Sequence, residues 1–93
     1  MTAHMNDALA VDKLWQAQDG WHIDVRGLQA PGPMVAIIGL IERPDVGSCV
    51  VVHHDREPFF LYPELAERGW RWRLAPAPAG EVRLELSREG SGQ

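Results

Sequence analysis

Asp24-Val25-Arg26-Gly27-Leu28-Gln29-Ala30-Pro31-Gly32-Pro33 decides how this chain folds, because the end of a strand, a turn and the start of a helix are all written into it. Trp21-His22-Ile23-Asp24-Val25 alternates and carries β-favouring side chains, as an opening strand should, and the turn signal Asp19-Gly20 precedes it. Gly27 is the hinge. Pro31 and Pro33 fix φ at values suited to a first helical turn and give up only N–H groups that a helix start leaves unbonded. A helix is expected from about Pro33 to Glu42. Its positions Met34, Ile37, Ile38 and Ile41 follow i, i+3, i+4, i+7 spacing and should form the face that lies on a sheet. On the other side Val35, Ala36, Gly39 and Leu40 leave almost no polar surface, so that side should also be covered. Either Val11, Leu14 and Trp15 fold back over it, or a second copy or a partner protein packs there.

Working outward, Asp7 can cap a short helix carrying Ala8, Val11 and Trp15 on one stripe, behind a mobile tail of Met1 to Asn6. Pro44-Asp45-Val46-Gly47 is turn chemistry, and Cys49-Val50-Val51-Val52 is a run of the kind found in central strands buried on both faces. His53 to Pro58 forms a polar loop. Phe59, Phe60, Leu61 and Tyr62 then lead into a helix over Pro63 to Gly69. Trp70-Arg71-Trp72-Arg73-Leu74 and Glu81-Val82-Arg83-Leu84-Glu85-Leu86 both alternate strictly and should pair as an antiparallel hairpin. Trp70, Trp72 and Leu74 would share the helix-facing side with Val82, Leu84 and Leu86, leaving the arginines to solvent. Pairings of Glu85 with Arg71, Glu85 with Arg73, and Glu81 with Arg73 all satisfy this pattern.

The expected architecture is α+β, a two-layer βαβαββ sandwich with a four-stranded sheet, two helices on one face and an extra N-terminal helix. Residues 1–20 would form the N-terminal tail and short helix, 21–88 the α/β domain and 89–93 a disordered tail. Ninety-three residues suit one domain with a modest core. A formal net charge of -4 gives no global attraction to nucleic acid or anionic lipid, so neither is expected as a partner. Arg68, Arg71 and Arg73 interleave with Trp70 and Trp72, but alternation on a half-buried strand accounts for them without base stacking. A single cysteine, Cys49, excludes an intramolecular disulfide and fits a reducing cytoplasm. No basic n-region or long apolar h-region suggests a signal peptide, and Met34 to Ile41 is too short to cross a bilayer.

Few residues offer chemistry. Cys49, within an apolar strand, should be buried and inert. His53, His54 and Asp55 place three metal-ligand types in one loop, and His22 could approach from a neighbouring strand. Adjacent histidines at a strand end point to opposite faces, however, so His54 and Asp55 are better read as caps for the loop and for the next helix. Thr2-Ala3-His4 would chelate square-planar Cu(II) or Ni(II) if Met1 were removed, a match that arises by accident in any chain beginning this way. Asp24, Arg26 and the helix mouth at Ala30-Pro31 could hold an anion, although a turn this tight needs Asp24 and Arg26 as local ties. No phosphate-cradling glycine loop and no readable nucleophile triad is present, so no enzyme is expected.

The opening stretch resembles the signature Asp-x-Arg-Gly-Leu-x-Cys-Pro-x-Pro of the TusA/SirA-like sulfur-carrier superfamily. Asp24, Arg26, Gly27, Leu28, Pro31 and Pro33 match it, and Ala30 stands where the cysteine would be. In such carriers the thiol sits at a helix mouth, where the macrodipole favours the sulfur-carrying thiolate. An alanine methyl can do none of this. A closer resemblance is to a cysteine-less uncharacterised branch, a domain of unknown function often found with hemerythrin-like domains or denitrification proteins. That branch has an Asn-Asp-His-Asp-Pro-x-Pro-Leu loop, of which Val52 to Phe59 keeps His54, Asp55 and Pro58, and Gly69-Trp70-Arg71-Trp72 is similar too. The resemblance implies a mixed sheet and a non-catalytic binding or adaptor module with no cofactor. Its surface would comprise Asp24, Arg26, Gly27, Leu28, Ala30, Pro31 and Pro33, the exposed side of the first helix, and the His53 to Asp55 loop, meeting a partner protein or a second copy. The alternative is a metal- or redox-linked accessory protein using His54 and Asp55. A thiol carrier working through Cys49 comes third.

Overall fold

The computed structural model describes residues 13–88. Along the chain run β1 (Leu14–Ala17), β2 (Gly20–Asp24), α1 (Gly32–Ile41), β3 (Cys49–His54), α2 (Leu61–Glu67), β4 (Trp70–Ala75) and β5 (Val82–Arg88). The strands form one five-stranded sheet in the order β1-β2-β3-β5-β4. Only β2 and β3 are parallel, as the helical crossover between them requires, and the other neighbours are antiparallel. Val50, Val52, Ile23, Leu84 and Leu86 lie in register on one side and meet Ile37, Leu40, Ile41, Leu61 and Leu65 from the helices in a single core. No helix among the described residues is long and apolar enough to cross a membrane.

The sheet has five strands rather than the expected four, and Leu14 and Trp15 belong to the additional one instead of to a helix. The β1–β2 hairpin pairs Leu14 with Ile23 and Trp15 with His22, so Leu14 joins the core side while Trp15 faces away from it. As sheet residues they cannot lie over the outer side of α1. Asp7, Ala8 and Val11, the rest of the expected N-terminal helix, lie outside the described residues, as do the expected tails and Thr2-Ala3-His4.

The rotation of α1 also differs from the expected one. Leu40 is 3% exposed and sits in the core with Ile37 and Ile41, whereas Met34 and Ile38 are only partly buried. The outer side therefore keeps Val35, at 63% exposed, and Gly39. A helix apolar on nearly every position offers two overlapping i, i+3, i+4 stripes, and packing against the sheet selects between them. Most of the unpartnered apolar face disappears with that choice.

The β4–β5 register sets Trp72 opposite Leu86, Leu74 opposite Leu84 and Arg73 opposite Glu85. It thereby selects one of the three charge pairings, and Arg73 Nε donates to Glu85 Oε1 at 3.1 Å. Trp70 is buried as expected, but Trp72 and Leu74 are exposed on this edge strand. Tyr62 stacks on Trp72 with ring centroids 4.6 Å apart. Cys49 is exposed, not buried, because it opens β3 on the side of the sheet that no helix among the described residues covers.

Candidate functional site

At the end of β2 the Asp24 carboxylate collects three donors from Arg26. The backbone N–H and Nε donate to Oδ1 at 3.0 and 2.9 Å, and Nη2 donates to Oδ2 at 2.8 Å. These hydrogen bonds hold the Asp24 carboxyl down at about 2. Arg26 Nη1 also pairs with Glu81 Oε2 at 2.8 Å, tying the loop to the start of β5. The guanidinium is therefore engaged by two carboxylates, and Asp24 and Arg26 act as the local ties that the tight turn needs.

The helix mouth is similarly occupied. Pro31 and Pro33 have no N–H, the Gly32 N–H donates to Gln29 O at 2.8 Å, and the Val35 N–H donates to Pro31 O at 3.0 Å. The Ala30-Pro31 peptide is cis. Ala30 itself is exposed. With a methyl there and most first-turn donors absent or bonded, an anion grip at this mouth lacks its donors, and Asp24 and Arg26 stand as the expected local ties.

A latch joins this loop to the one after β3. The Gly27 N–H donates to Asp55 Oδ2 at 3.1 Å, and that amide is the main reason the Asp55 carboxyl lies below the usual range. His54 Nδ1 accepts the backbone N–H groups of Asp55 at 2.9 Å and Arg56 at 3.3 Å, with Asp55 Oδ1 3.1 Å away. His54 and Asp55 thus hold their own loop, as expected, but do not cap the next helix. The N-cap of α2 is Phe60, with no side-chain cap. Asp55 reaches across to Gly27 instead.

Between the two latched loops lies a cleft of about 530 Å³. Leu28, Ala30, Pro31 and Met34 line it from the signature loop and the start of α1, Pro58, Phe59 and Phe60 from the segment before α2, and Ile37, His54 and Leu61 complete the lining. Phe59 and Phe60 are 67% and 70% exposed. Below them the Tyr62 hydroxyl donates to Glu57 Oε2 at 2.8 Å, and burial together with that carboxylate raises its pKa. The signature loop and the His54/Asp55 loop thus share one concave, mainly apolar surface. Val35 is not part of it.

The opposite face of the sheet holds a cluster whose arrangement the linear sequence does not show. Parallel pairing of β2 with β3 places His22 beside His53, with His22 Nδ1 2.9 Å from His53 Nε2, and His22 Nε2 contacts Asp19 Oδ1 at 2.8 Å. Trp15 lies against both rings at centroid distances of 5.1 and 5.3 Å. Of the loop residues that His22 could approach, it meets His53. Asp19, His22 and His53 form a line of hydrogen bonds rather than converging on a point, and among the described residues no group of three or more such side chains is placed to hold a metal.

Burial lowers the His53 pKa, helped by Arg83, His22 and Arg26 and opposed by Asp24. A histidine whose folded pKa lies below its unfolded value binds more protons when unfolded, so its share of stability is present above about 6.5 and is lost as pH falls below that value. Urea unfolding at a series of pH values should show stability falling from neutral toward pH 5. His53→Asn should make that fall shallower, and an unchanged slope would remove His53 from the account.

Residues 22–88 match the family described as an uncharacterized conserved protein, DUF2249. The chain belongs to that family. No curated protein matches it. The crystal structure of a SirA-like protein from Desulfitobacterium hafniense is similar, with a TM-score of 0.59 at 21% identity over 73% of this chain and 96% of that one. At that identity the likeness speaks for the fold, and this DUF2249 chain therefore has a SirA/TusA-like fold, with β1 at one edge of its sheet.

Proposed function

We propose that this DUF2249 chain is a non-catalytic binding or adaptor module, a cysteine-less relative of the sulfur carriers that works in the cytoplasm. Its working surface is the cleft between the signature loop and the His54/Asp55 loop. The observation that carries this reading is the position of Ala30, exposed on the cleft wall where a carrier would present its thiol. What remains there is concave and apolar, the form of a binding site rather than of a nucleophile's setting. The Asp55–Gly27 bond supports it further by fixing one loop against the other, so that little ordering is left for binding to supply.

Tagged protein recovered from its native host should carry a partner that the double variant Phe59→Ser, Phe60→Ser loses. Both rings are largely exposed, so each substitution should change stability by no more than about 0.5 kcal/mol. Recovery of the same partner by a folded double variant would move the binding surface elsewhere.

A further inference from the structure

We propose that the cleft takes a neutral, largely apolar small molecule bearing one hydrogen-bond acceptor, which the Nε2–H of His54 holds from the cleft floor. The proposal rests on the reading of this cleft as the binding surface and adds the class of ligand. His54 is the last residue of β3, on the helix-facing side, and is 4% exposed. Its Nδ1 accepts the backbone N–H groups of Asp55 and Arg56 and also lies 3.1 Å from Asp55 Oδ1; on the strength of the two donated bonds we assign the ring proton to Nε2. That N–H has no partner among the described residues.

Nor is it sealed in. Among the described residues the fully enclosed side-chain nitrogens without a partner are Trp21 Nε1 and Arg83 Nε, and His54 Nε2 is not among them. His54 lines the cleft, and in the proposed arrangement its Nε2–H is directed into that space. A donor set into an apolar concavity, with the rest of its ring fixed by the loop, awaits an acceptor atom.

The surroundings narrow the class. Leu28, Met34, Phe59 and Phe60 supply apolar contact, and a volume of about 530 Å³ suits a compound of two or three rings. An anion would meet the carboxylates of Asp55 and Glu57, while Arg26 is held by Asp24 and Glu81 and Arg56 Nε already lies 3.7 Å from Asp55. Neither cation is poised for a charged ligand. A ketone, an amide carbonyl or a ring nitrogen on an uncharged frame meets every one of these conditions.

The test uses the full chain and two fluorescent probes, propionyl-dimethylaminonaphthalene, a neutral ketone, and dimethylaminonaphthalene, which lacks the carbonyl. The ketone should bind saturably and about two- to tenfold tighter, the ratio expected from one neutral hydrogen bond. His54→Phe should bring the two affinities together. Because that substitution also removes the loop's Nδ1 acceptor, the unmodified chain gives a second readout: in heteronuclear NMR the His54 Nε2–H signal should shift with the ketone and stay in place with its partner probe. Equal affinities, or a ketone that binds with the Nε2–H signal unmoved, would overturn the role of His54 while leaving the cleft as a binding surface. Absence of saturable binding by either probe would overturn the ligand class, and the Phe59/Phe60 double variant would still decide whether a protein binds there.

Discussion

Leu40→Glu should leave no cooperatively folded protein at 25 °C, whereas Val35→Glu, on the same helix, should fold and melt within a few degrees of the parent. Leu40 is 3% exposed and packs in the core beside Ile37 and Ile41. Truncating such a leucine costs about 2–5 kcal/mol, and a carboxylate buried there without a partner adds several more. A domain of this size has about 5–15 kcal/mol in total, and small ones lie toward the lower end. Val35, at 63% exposed, already projects into water, so a glutamate there leaves the core intact. Circular dichroism melts of the two variants read the rotation of α1 directly, and the reverse order of stabilities would mean that the other apolar stripe faces the sheet.

Gly20→Ala should destabilise the chain by about 3–4 kcal/mol. Gly20 opens β2 at a φ of +120°, and a Cβ built there would lie 2.5 Å from the carbonyl oxygen of Cys49 on the parallel neighbour β3. The obstructing atom belongs to the backbone and cannot swing aside. Strained backbone costs about 1–3 kcal/mol, and forcing strands apart to relieve the contact costs a similar amount. Gly80 provides the comparison, since its φ is +83° but a Cβ would meet nothing within 4 Å. Gly80→Ala should therefore cost only about 1–2 kcal/mol. Equal losses for the two in urea unfolding would show that the close approach of β2 to β3 is relaxed in solution.

Much of this fold is written locally. The signature stretch places a strand, a turn and a helix in the observed order, and strict alternation in β4 and β5 gives both the hairpin and the side that Trp70, Leu84 and Leu86 bury. What escaped depends on partners distant in sequence. Leu14-Trp15-Gln16-Ala17 sits at helical spacing from Val11, and its strand state comes from pairing with β2. Asp19-Gly20 carried a usable sign, because a turn signal that opens one strand also invites a strand before it. The choice between the two stripes of α1 belongs to the sheet beneath it. The contact of His22 with His53, diagonal neighbours on one face, follows from the β2–β3 register, and the exposure of Cys49 from the absence of a helix on that side among the described residues.

Within the site, the histidine–aspartate pair is legible as a cap of its own loop, and the structure withholds only its expected role at the start of α2. The Gly27–Asp55 bond, which joins the two loops into one cleft, spans 28 residues and could not be seen along the chain.

The central claim is that this chain keeps the carrier frame and carries no sulfur. Incubation with a cysteine desulfurase and sulfur-labelled cysteine tests it most directly, with Cys49→Ser alongside, because the chain's one thiol is exposed on a strand outside the cleft. The unmodified protein should carry no reductant-labile label above that on Cys49→Ser. Stoichiometric label on Cys49 that reductant releases, that Cys49→Ser abolishes and that passes to an acceptor thiol would contradict it.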